Sequence, residues 1–141
     1  MVWAVMLTQV LLPLMLLTWV AFYPAAGWVA RGLQLISVTA ILLGIALAAL
    51  WTMPPFWTPY AYGVAFVFIT VSQLVRGGYP GPGLWRTSKL NSVIVLLVAG
   101  LGLLGGYLAY EALKGRTLPE GAVVDIRPPF APGHYLVGHG G

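Results

Sequence analysis

Apolar residues run along this chain in four long blocks, and the charged residues fall between them. No Asp, Glu, Lys or Arg occurs between Met1 and Arg31, between Arg31 and Arg76, or between Lys89 and Glu111. A hydrocarbon layer about 30 Å thick is crossed by about 20 apolar residues in a helix. Each gap is therefore long enough for at least one crossing. The first predicts a helix over Val2 to Tyr23, closed by Pro24 and Gly27. The second is broken by Pro54, Pro55 and Pro59 and predicts two, Leu33 to Met53 and Phe56 to Val75. The third predicts Val93 to Tyr110. Backbone amides in oil have no water to bond, so each block must coil to satisfy itself. The expected fold is all-α: a four-helix transmembrane bundle over residues 1–113, with spans at about 2–23, 33–53, 56–75 and 93–110, and a tail at 114–141.

Composition excludes the soluble alternatives. Only 7% of the 141 residues are charged while 60% are hydrophobic, against about 25% charged in an ordinary soluble domain. Disorder would need the opposite balance. The net charge of +4 comes from seven basic residues scattered over four segments, which form no basic stripe for nucleic acid. They read instead as topology signals. The absence of cysteine excludes disulfides, thiolate metal sites and cysteine nucleophiles. A cleaved signal peptide would have a basic start and a shorter apolar centre; the first block has neither, so it reads as a retained span.

With four crossings, Arg31, Arg76, Arg86 and Lys89 share one side without an acidic residue. Lys114, Arg116 and Arg127 share the other with Glu111, Glu120 and Asp125. The positive-inside rule then places both termini outside. The expected location is a bacterial inner (plasma) membrane, with Arg31, Arg76, Arg86 and Lys89 touching lipid at the inner surface. Aromatics form two belts: Trp3, Trp51, Trp57, Tyr60, Tyr62, Tyr107 and Tyr110 outside, and Trp19, Tyr23, Trp28, Tyr79 and Trp85 inside.

Chemistry is sparse inside the spans. No ionisable group lies at mid-span, which argues against a proton-coupled pump. Thr8, Gln9, Gln34, Ser37, Thr39, Thr70, Ser72 and Gln73 could line a polar cavity, but such residues more often bond between helices. Ala40, Gly44 and Ala48, and Gly102 and Gly106, recur at four-residue spacing. Both stripes let another helix approach closely, within the chain or from a second one. The Gly77–Gly83 run lacks the Gly-Lys-Ser/Thr ending of a phosphate loop. In the tail, Ala122–Ile126 and Tyr135–Val137 suggest a short extracytoplasmic β-hairpin, too small to stand alone. His134 and His139 would point to opposite faces of an unbroken strand, and make no metal site. No catalytic residue, metal ligand or cofactor site is identified.

Val124-Asp125-Ile126, a proline-bearing link, Gly133-His134-Tyr135-Leu136-Val137 and Gly140-Gly141 resemble one known entry sequence. It begins the β domain of membrane-anchored, lysostaphin-like zinc metallopeptidases that cut peptidoglycan. No position here matches that family's zinc ligands. The resemblance implies the membrane-anchor portion of such an enzyme, truncated before its chemistry. Three functions are thus expected in order. The first is a small non-catalytic structural or accessory membrane protein, associated with other membrane chains or itself, its tail docked on a partner. The second is the peptidase anchor. The third is small-molecule binding or transport within the bundle through Gln9, Thr39, Ser72 and Gln73.

Overall fold

The computed structural model describes residues 2–49, 54–77 and 83–117. The expected tail hairpin, both histidines, Trp51 and Tyr79 lie outside the described residues. Within them the protein is helical, with four helices long and apolar enough to cross a membrane.

The first crossing is composite: α1 (Val2–Met6), a π-helical turn (Leu7–Leu11) and α2 (Leu12–Phe22). Its widened turn is closed by the Leu12 amide donating to the Leu7 carbonyl, five residues back. Pro13 follows at once and has no N–H to give. Widened turns and prolines are tolerated in a span when neighbouring groups satisfy the freed backbone. Tyr62 of the third crossing does this, its hydroxyl donating to the Gln9 carbonyl at 3.0 Å.

The other crossings are α3 (Trp28–Ala48), α4 (Thr58–Val75) and α5 (Lys89–Lys114). Two begin earlier than the hydropathy pattern suggests. Helix α3 starts at Trp28 rather than Leu33, directly after Gly27 at φ 95°. Helix α5 starts at Lys89 rather than Val93, because the Ser88 side chain caps it by accepting from the Asn91 amide at 3.3 Å. Each first turn holds a charged residue, Arg31 in α3 and Lys89 in α5, which a pattern of uncharged apolar runs leaves out.

Helices α3 and α5 form the tightest pair. A Cβ built on Gly102 would stand 2.9 Å from Ser37 Cα, and one on Gly105 would stand 2.7 Å from Ile41 Cα. Numbers rise together on both helices, so the two run parallel. The first crossing and α4 are also parallel: Tyr62 meets Gln9, and eleven residues later on each helix Gln73 meets Val20. Eleven residues are close to three turns, so both ties fall on one face. Leu16, Val20, Val38, Ile41 and Val98 form the central cluster, and Ala25, Ala30 and Val95 a smaller one near the loops. Helix α4 contributes no buried residue.

Candidate functional site

Several polar residues of the bundle, Arg31, Gln34, Gln73 and Asn91 among them, collect at the end where Gly27 faces the segment leading into α5. There the Trp28 amide donates to the Gly83 carbonyl at 3.2 Å, Val29 to Leu84 at 3.1 Å, and the Arg86 amide to Ala26 at 3.0 Å. The first two bonds use N–H groups that the start of α3 would otherwise leave unpaired. Gly27 is required twice over: its φ is positive, and a Cβ would lie 2.6 Å from the Leu84 carbonyl oxygen. Nearby, Trp19 Nε1 donates to Asn91 Oδ1 at 2.9 Å, while Asn91 Nδ2 donates to Thr87 Oγ1 at 2.8 Å. Trp85 Nε1 donates to Ser92 Oγ at 2.8 Å.

Arg31 stands at the centre of this end, in the first turn of α3, and is only 8% exposed. Its Nη1 donates to Gln34 Oε1 at 2.8 Å, and its Nη2 donates to Gln73 Oε1 of α4. Gln34 is fully buried. Its Oε1 also accepts the Ala25 amide at 2.9 Å, and its Nε2 donates to the Tyr23 carbonyl at 3.2 Å. Gln73 Nε2 donates to the carbonyls of Val20 at 2.8 Å and Ala21 at 3.1 Å. One guanidinium and two amides thus clasp three crossings. Both acceptors are neutral. The one acidic residue among the described residues is Glu111, near the far end of α5. The charge of Arg31 therefore has no counter-charge from a described side chain.

The four basic residues grouped by the sequence take different places. Arg76, Arg86 and Lys89 are exposed, whereas Arg31 is turned into the bundle. Between α3 and α4 a cavity of about 220 Å³ opens beside it, lined by Trp28, Arg31, Gly32, Thr70, Gln73 and leucines. A larger groove of about 880 Å³ lies farther along the same two helices, bounded by Leu43, Leu47, Gly63, Val64 and Phe68. A third space, about 480 Å³, lies at Thr8, Gln9, Gly44, Ala48 and Gly105.

The remaining sequence candidates divide in the same way. Ala40 and Gly44 face α5, where Gly102 and Gly105 are buried; Gly106 lies at the edge, its nearest added contact being Ala40 Cβ at 4.0 Å. Ala48 is exposed along the third space. Thr8, Ser37, Thr39 and Thr70 donate to carbonyls of their own helices. Gln9 and Gln73 sit about three turns apart along parallel helices, and Thr39 is exposed, so these residues do not converge on one site. The Tyr62 hydroxyl is spent inside the bundle rather than at a headgroup. No metal-holding group of three or more His, Cys, Asp or Glu occurs among the described residues. The Arg31 clasp escaped sequence reading because its arginine precedes the apolar run; the signal that could have found it is the Arg31-x-x-Gln34 spacing, which puts both on one helical face. No protein-family profile, curated protein or solved structure matches this chain.

Proposed function

We propose that this protein is a non-catalytic structural module of the plasma membrane, which associates through α4 with another membrane-spanning chain. The observation that carries it is the state of α4. It is apolar along its length and contributes no buried residue. Tyr60, Val64, Phe68, Val71 and Val75 are exposed on it at helical spacing. The groove of about 880 Å³ beside it is floored at Gly63, where an added Cβ would meet nothing within 4 Å. Lipid is as apolar as leucine, so helices associate in membranes through close packing. A second transmembrane helix laid in this groove supplies the packing that α4 lacks. The structural role is further supported by the polar side chains: Gln34, Gln73, Tyr62 and Trp19 all tie one part of the bundle to another. In this reading the basic end faces the cytoplasm, following the positive-inside bias.

The sequence contains no cysteine, so an introduced cysteine is the only thiol of this chain and can carry a thiol-attached photo-cross-linker in native membranes. Phe68→Cys should form an adduct with a second chain. Leu103→Cys, on an exposed part of α5, should not. Equal cross-linking at the two positions, or none at Phe68→Cys, contradicts the proposal.

A further inference from the structure

We propose that the cleft at Arg31 binds the phosphate group of an anionic membrane lipid. Three independent observations converge there. The guanidinium is buried, and the acceptors of its side-chain bonds are two neutral amide oxygens. A guanidinium carries five N–H donors and does not shed its charge. Burying such a charge without a counter-ion is costly, and an anion brought to it offsets that cost.

The second observation is space. The cavity of about 220 Å³ reaches Arg31 between α3 and α4, well above the roughly 30 Å³ that a water molecule occupies. The wall is open at Gly32, one of its lining residues, where a Cβ built on the backbone meets nothing within 4 Å. The third is field. Arg76, Arg86 and Lys89 belong to the same end of the bundle, where no described residue is acidic, and a cluster of one sign raises the local concentration of anions. Arginine suits phosphate because its planar fork can donate two parallel bonds.

The walls decide the source of the phosphate. Trp28, Leu35 and Leu74 line the cavity beside Arg31, Thr70 and Gln73, and Trp28 and Leu74 are exposed on the membrane-crossing surface. A lipid supplies apolar chains for these walls together with its phosphodiester; free phosphate supplies only the anion. The amides at the start of α3 are taken by Gly83, Leu84 and Gly27, which leaves recognition to the guanidinium.

The test uses the full chain in mild detergent, with lipid retention read by native mass spectrometry. Phosphatidylglycerol, phosphatidylcholine and inorganic phosphate are titrated separately. The wild-type chain should retain one phosphatidylglycerol in preference to phosphatidylcholine. Arg31→Gln should weaken that retention about tenfold or more, in keeping with a lost charge-assisted bond, while Arg76→Gln changes it by less than about threefold. Gly32→Leu guards against a folding artefact: it fills the mouth of the cavity, improves helix propensity and should still weaken retention. Equal retention of the two lipids overturns the proposal, as does equal loss in Arg31→Gln and Arg76→Gln. Full retention in a folded Gly32→Leu overturns it too. Displacement of the lipid by millimolar inorganic phosphate would overturn the assignment to lipid.

Discussion

The hydroxyl of Tyr62 donates to the carbonyl of Gln9 at 3.0 Å, four residues ahead of Pro13. In an unbroken α-helix the amide of residue 13 would serve that carbonyl. Proline cannot, and a tyrosine from another crossing takes its place. Tyr62→Phe should therefore destabilise the bundle by about 0.6 kcal/mol, and by no more than about 1.7 kcal/mol, the range for interhelical bonds in membranes. Reversible unfolding in mixed micelles measures this. An unchanged unfolding midpoint would show that the bond carries no net stability.

The α3–α5 contact yields a graded series. Gly105→Ala places a methyl 2.7 Å from Ile41 Cα and 2.8 Å from the Ala40 carbonyl oxygen. Both are backbone atoms, so the helices must separate, at a cost of about 1–3 kcal/mol. Gly100→Ala meets nothing within 4 Å and should be neutral, or stabilising by up to about 1 kcal/mol through helix propensity. The same unfolding experiment ranks the two variants. Equal effects would place the contact elsewhere.

Gln34→Leu keeps most of the buried volume but strands the Ala25 amide and one donor of Arg31. Each buried group left unpaired costs about 1–3 kcal/mol. The variant should thus lose more stability than Tyr62→Phe. Thr39→Val removes a bond within one exposed turn of α3 and should cost less than either. If Thr39→Val proved the worse of the two α3 variants, the clasp would not be holding the crossings together.

Much of this architecture is visible in the order of residues. The gaps between charges mark four crossings because a charge inside oil is expensive. Pro54 and Pro55 divide the longest gap for steric reasons, while Pro59 falls in the first turn of α4, where proline is tolerated. Where each helix begins is less visible. Trp28 to Gly32 and Lys89 to Ser92 are helical despite Arg31, Lys89 and Asn91, since a helix end at the membrane surface tolerates polar groups. Choosing among glycines at three- and four-residue spacing also defeats a one-dimensional reading. Gly105 and Gly106 are neighbours on the chain, but only the former is pressed against the backbone of α3. The clasp needed three crossings in space before Gln34 and Gln73 could be seen to share one arginine.

The number of crossings is the claim on which the rest depends, and α5 tests it directly. Lys89→Cys and Lys114→Cys, each the sole cysteine in its chain, would be exposed to a membrane-impermeant maleimide in sealed vesicles of known orientation. The account predicts labelling of the two positions from opposite sides, at the two ends of one 26-residue helix. Labelling of both from the same side would contradict it.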